Sequence, residues 1–233
     1  MNIKKIHLTI ISVFFILLFL NFHSIESKAY YDLDNDLYIP KGGEFVYEDF
    51  IYKVTKPAKR SYKNFRLGEV TITGINPDWD WDWSHKGYLF CGSGLEQDYP
   101  YNIVGVADYA FQGNTEIREF DVCSPHLRYI GKSAFEGCTN LQSLYCRPDS
   151  LTTIKDKAFY NCKSLKEVDG VGKKIKRLGK KAFKNTKTKI KIELHNVPSS
   201  KVEKIRKLFV KAGTKKVDFK LKYYKRGKGD PCH

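Results

Sequence analysis

The sequence predicts an α+β repeat fold: a solenoid of short parallel strands, with an antiparallel β-hairpin cap before it and a helix-strand cap after it. Three observations predict it. The pairs Ala110-Phe111, Ala134-Phe135, Ala158-Phe159 and Ala182-Phe183 recur every 24 residues without insertion, and a fixed period in the twenties means one supersecondary unit stacked on itself. The positions eight and five residues before each phenylalanine are aliphatic throughout: Ile103, Leu127, Leu151 and Ile175, then Val106, Ile130, Ile154 and Leu178. After the phenylalanines, Ile117-x-x-Phe120-x-Val122 and Leu141-x-x-Leu144-x-Cys146 share the spacing L-x-x-L-x-L.

That spacing is the strand half of a leucine-rich repeat. Through Ile130-x-x-x-Ala134-Phe135-x-x-Cys138-x-x-Leu141-x-x-Leu144 and its copies, the chain resembles the BspA-type leucine-rich repeats of bacterial surface proteins. The resemblance covers roughly residues 45–76 and 102–222. It implies adhesion or protein recognition at a cell surface, with no cofactor.

Taken in order, residues 1–29 read as a secretory signal. Lys4 and Lys5 precede an apolar run from Leu8 to Phe22, and Ser27-Lys28-Ala29 places small residues where a signal peptidase cuts. An uncleaved anchor is the alternative, although the run is short of the roughly 20 residues a span needs. The expected localisation is secreted or extracellular, either released or held non-covalently at the surface. The C-terminus lacks L-P-x-T-G and an apolar tail.

Residues 30–76 hold the expected cap. Phe50-Ile51-Tyr52-Lys53-Val54 and Glu69-Val70-Thr71-Ile72-Thr73-Gly74 alternate as a half-buried antiparallel pair. Residues 77–101 depart from the family pattern and read as an insertion. They hold Trp79, Trp81 and Trp83, which extended backbone would put on one side, opposite Asp78, Asp80 and Asp82. The indoles are candidates for stacking on sugar rings or anchoring a partner, or else a lid over the first repeat. The acidic triplet does not complete a calcium loop, because Trp83 replaces the turn glycine and Leu89 the bidentate glutamate. Asp32, Asp34 and Asp36 fail similarly.

Residues 102–196 form the repeats, whose outward strand positions line up in columns. Glu119, Asp121, Tyr145, Glu167, Asp169 and Glu193 are the candidate partner site on that face; the alternative is a solvated face. Cys138 and Cys162 share one repeat column and Cys146 takes a leucine position, so these read as small core residues rather than disulfide partners. In residues 197–233, Ser200-x-x-Glu203 matches a capping box. Val202, Ile205, Leu208, Phe209 and Ala212 then follow on one helical face up to Gly213, and Val217, Phe219, Leu221 and Tyr223 alternate as a last strand.

Charge is uneven. From Leu151 onward 26 Lys and Arg stand against 7 Asp and Glu, so in a chain of net charge +15 the first 150 residues carry −4. A cation of this kind favours an anionic partner, whether an anionic wall polymer, lipid head groups or a sulfated glycan, unless the lysines only solvate a rim. Nucleic acid is not expected, for no zinc-finger spacing or aromatic RNA-binding signature occurs. Enzyme chemistry is not expected either. His85, His126, His195 and His233 are scattered, without a serine or cysteine elbow or a glycine-rich phosphate loop, and read as loop or solvent-facing residues.

Overall fold

The computed structural model describes residues 30–31, 37–47, 49–61, 64–77, 88–91, 101–122, 124–146 and 150–223. Two small antiparallel pairs form sheets of their own: β1 (Tyr30–Tyr31) with β2 (Leu37–Tyr38), and β5 (Lys59–Ser61) with β6 (Asn64–Arg66). Two larger sheets share one buried core.

The seven-stranded sheet begins with β3 (Glu44–Tyr47), β4 (Phe50–Lys56) and β7 (Gly68–Ile75), which pair antiparallel. The expected pairing of residues 50–54 with 69–74 is therefore observed, and β3 extends it by one strand. From β7 onward the sheet is parallel, through β9 (Tyr101–Val106), β11 (Tyr129–Ile130), β13 (Thr153–Ile154) and β15 (Arg177–Leu178). Val106, Ile130, Ile154 and Leu178 are neighbours at each step, so the aliphatic column of the sequence is a physical column.

The six-stranded sheet runs β8 (Tyr88–Cys91), β10 (Glu119–Val122), β12 (Ser143–Cys146), β14 (Glu167–Gly172), β16 (Lys189–His195) and β17 (Lys216–Lys222), parallel throughout. β8 corrects the reading of residues 77–101 as an insertion alone. Leu89 pairs with Phe120 and is fully buried, so the segment carries a rung of the ladder. Ile72 and Val106, partners in adjacent coils, are 34 residues apart where Val106 and Ile130 are 24 apart; the extra length sits around this rung and hides the period.

Between the sheets, the Ala-Phe turns stack on one another. Phe111, Phe135 and Phe159 N–H groups donate to Ala134, Ala158 and Ala182 carbonyls at 2.8 Å. Their rings, with Phe183, stack at 5.1–5.2 Å between centroids, and each fully buried ring is worth about 1.5–3 kcal/mol of transfer free energy. The turns need left-handed backbone at two places per repeat: Tyr109, Ser133, Lys157 and Lys181, then Gly113, Gly137, Asn161 and Asn185. Asn and Gly at the second place are the residue types that adopt it most readily. Cys138 and Cys162 Sγ donate to the Phe111 and Phe135 carbonyls, which makes them satisfied core thiols. Burial pushes the Cys138 thiol up to about 12 and the Cys146 thiol higher still.

Helix α1 (Ser199–Lys211) follows the last turn. Its buried Ile205, Phe209 and Ala212 match the expected apolar face, and Gly213 ends it at φ 105°. The capping box does not form. The helix starts after Pro198, whose extended backbone is its N-cap without a side-chain hydrogen bond, so Ser200 lies already inside the first turn. Glu203 turns outward to Arg206 at 3.4 Å instead. In β17, Val217 and Phe219 pack on the core as expected, while Leu221 is exposed because this strand is the sheet's edge. The proposed signal segment 1–29, the motifs 32–36 and 78–83 with all three tryptophans, and Cys123 and Cys232 lie outside the described residues.

Candidate functional site

The six predicted outward residues of the repeats do share one face of the six-stranded sheet. Glu119, Ser143, Glu167 and Lys191 are successive register partners, and Asp121, Tyr145 and Asp169 form the next row. The second row is interrupted before it reaches β16. The register shifts between Val168 and Val171, where Gly170 at φ 85° turns the strand into a bulge. A Cβ at Gly170 would lie 1.8 Å from the Cys146 carbonyl oxygen, so only glycine fits.

The bulge aims Asp169 along the strand rather than straight outward. Its Oδ1 accepts the Gly170 N–H at 2.5 Å and meets His195 Nε2 in a short hydrogen bond. Lys222 Nζ lies 3.6 Å from Asp169 Oδ2 and in direct contact with Glu193. Lys191 bridges Glu167 at 2.6 Å and Glu193 at 2.7 Å, and Lys220 stands 3.8 Å from Glu193. Two expectations are corrected here. Glu193 is 2% exposed and His195 fully buried, because β17 covers β16 and supplies ammonium groups that make burial of the carboxylate tolerable. Alternation along β16 puts Lys189, Lys191, Glu193 and His195 on the same side; that pattern was the available signal for His195 and Lys191. Nothing local pointed to Lys222.

The two ends of this face differ in charge balance. At the β14–β16–β17 end every carboxylate meets a cation. Burial opposes ionisation of Asp169, but the hydrogen bond and charge of His195, the Lys222 ammonium and the Gly170 N–H together hold its carboxyl below the usual range. The Lys191 ammonium is raised by its hydrogen bonds to Glu167 and Glu193. At the β10–β12 end no cation among the described residues forms an ion pair with Glu119 or Asp121. Burial first, then the charges of Asp169 and Glu119, push the Asp121 carboxyl up to about 6. The Tyr145 phenol is likewise raised, by burial foremost.

Asp169, Glu193 and His195 each offer one ligand atom within 4.8 Å of the others. The chain's own Lys222 already provides the positive charge at that point. Among the described residues no helix is long and apolar enough to cross a membrane.

A family model described as the BspA type leucine-rich repeat region matches residues 86–212 in six copies. The chain belongs to this BspA-type leucine-rich repeat family. Its match begins beside β8 and ends at Ala212, so it takes in the rung inside residues 77–101 and the helix that the four phenylalanine copies leave out. Members of the leucine-rich repeat class generally act in protein–protein interaction. No curated protein matches this BspA-type chain. Two solved structures are similar to it: a leucine-rich repeat protein from Bacteroides ovatus ATCC 8483 (23% identity, 64% of this chain, TM-score 0.45) and one from T. pallidum (19% identity, 64% of this chain and 92% of that one, TM-score 0.37). The BspA-type chain spans 36% of the length of the Bacteroides ovatus protein.

Proposed function

We propose that this chain is a secreted or cell-surface recognition module without enzymatic activity, capped at one end by β3–β4–β7 and at the other by α1 and β17. Its protein partner docks on the outer face of the six-stranded sheet. The observation that carries this is the open pair Glu119 and Asp121 beside Tyr145. Glu167, Asp169 and Glu193 have their charge met within the fold, whereas Glu119 and Asp121 have no ion pair among the described residues. A half-buried carboxylate pushed toward neutrality gains from an external cation, and a tyrosine next to it supplies rigid contact area. The partner surface that fits presents Lys or Arg.

The test is a pull-down of residues 30–233 on cell envelopes and host matrix proteins, at low and high salt, with an E119A/D121A/Y145A variant alongside. Binding lost in a variant that melts like the parent supports the site; unchanged binding rejects it. A W79A/W81A/W83A variant tests the tryptophan alternative in the same assay, since stacking on neutral glycans survives salt. Secretion is checked separately by N-terminal sequencing of exported protein, expected to begin at Tyr30.

A further inference from the structure

We propose that the C-terminal end of the molecule is a docking surface for a linear phosphate-bearing polyanion, independent of the sheet-face site. Three elements form it. The last Ala-Phe turn exposes Lys180, Lys181, Lys184 and Lys187. Helix α1 exposes Lys204, Lys207 and Lys211 at spacings of three and four, which set one stripe along the side opposite Ile205 and Phe209. Lys215 lies in the connection to β17 and is exposed as well.

Backbone contacts make these elements one surface. Phe183 N–H donates to the Ala212 carbonyl at 2.9 Å, and Lys216 N–H to the Thr188 carbonyl at 3.0 Å. Gly213 packs against Lys184 so closely that a Cβ there would sit 3.0 Å from the Lys184 side chain. The helix C-terminus is thereby fixed beside the turn, and the two sets of lysines are neighbours.

The charge on this surface is not met from within. The acidic groups near it are committed elsewhere: Asp156 to the Lys180 backbone N–H, Glu203 to Arg206, Asp218 to Lys189, and buried Glu193 to Lys191 and Lys222. None of the eight lysines of the surface has an ion pair among the described residues. Like charges at i,i+3 and i,i+4 destabilise a helix by a few tenths of a kcal/mol per pair, so a row of them stands against the folding interest of α1, and an extended anion relieves it. A phosphate polymer fits this surface better than a lipid bilayer or a nucleic acid does. Val210 is the one exposed large apolar residue of α1, too little for insertion into a bilayer, and none of the three elements exposes an aromatic ring to stack on bases.

The experiment measures binding of long-chain inorganic polyphosphate to the purified protein by fluorescence anisotropy across a salt series. The expected result is affinity that falls steeply with salt. K204Q/K207Q/K211Q should weaken it by about tenfold and reduce the log–log salt slope by about 2. K181Q/K184Q/K187Q, on a different element, should do the same, so that a folding defect in one variant leaves the other as a test. K41Q/K59Q/K132Q removes the same charge from exposed positions elsewhere and should change affinity by less than about twofold. Equal weakening in all three variants would reduce the effect to net charge and overturn the proposal. So would the absence of binding, or tighter binding to phosphatidylglycerol vesicles or duplex DNA at equal anion concentration.

Discussion

The ring of Phe209 lies 5.2 Å from that of Phe183 and adds a fifth member to the phenylalanine stack, tilted by 43°. The two residues are 26 apart rather than 24, and Phe209 comes from a helix rather than a turn. Ala212 completes the substitution by accepting the Phe183 N–H, as Ala182 accepts that of Phe159. Phe209→Ala deletes a fully buried ring and is expected to lower the unfolding free energy by about 3–5 kcal/mol. Phe209→Leu should lose less than half as much. Urea denaturation followed by circular dichroism measures both; a loss under about 1 kcal/mol for the alanine variant would mean that α1 does not close the stack.

This contact also marks how far the sequence could be read. The stack as far as Phe183 follows from spacing, because identical turns must repeat at one period. Phe209 escaped that logic, since a helix rises about 1.5 Å per residue and reaches the same point with a different count. The rows Glu119–Ser143–Glu167 and Asp121–Tyr145–Asp169 were likewise legible from period-two alternation, while the bulge at Gly170 was not. A lone glycine in a strand marks a bulge, a bend or a close approach alike. His195 is a related case: alternation along β16 gives its side of the sheet, but its burial depends on β17, which arrives only after the intervening helix.

Gly170→Ala should be among the most disruptive single-methyl changes in this protein. The added Cβ meets both a left-handed backbone and the Cys146 carbonyl at 1.8 Å. Gly113→Ala separates the two effects, for Gly113 has φ 75° but nothing within 4 Å of its Cβ position. Backbone strain alone costs about 1–2 kcal/mol. Gly113→Ala is expected at that level and Gly170→Ala at about 3 kcal/mol or more, because the bulge must also shift. Thermal melts compare them, and equal losses would show that the clash is absorbed without cost.

Asp121 and Asp169 predict opposite responses to acid. In the fold the Asp121 carboxyl titrates at about 6 against an ordinary 3.8, so between those values the native state holds a proton that the unfolded chain has lost. Stability therefore falls as pH rises from about 4 to 6 and stays at the lower level above it. Asp169 lies below its ordinary value; its contribution is present above about pH 4 and is lost as pH falls below that. Asp121→Asn is expected to flatten the profile between pH 4 and 6 and to raise stability at pH 7 by about 1 kcal/mol. Asp169→Asn should instead lower stability at pH 7 and remove the decline below pH 4. Chemical denaturation at pH 3, 5 and 7 distinguishes them, and a parent profile that rises from pH 5 to 7 would contradict the assignment of Asp121.

Lys222 and Glu193 test whether the buried end of the sheet face acts as one unit. Glu193 is 2% exposed and has Lys191 at 2.7 Å, Lys220 at 3.8 Å and Lys222 in contact. Lys222→Met leaves the carboxylate with Lys191 as its close cation, so the expected loss is about 1–3 kcal/mol, short of that for a carboxylate left without any. Glu193→Gln leaves Lys222 still facing Asp169 at 3.6 Å and should cost less. The double variant is expected to be more stable than the sum of the single losses implies, by a coupling of about 1–2 kcal/mol. Equilibrium urea unfolding of all four proteins gives that coupling directly. A value near zero would mean that Lys191 alone balances Glu193, and that Lys222 serves Asp169 and the attachment of β17 instead.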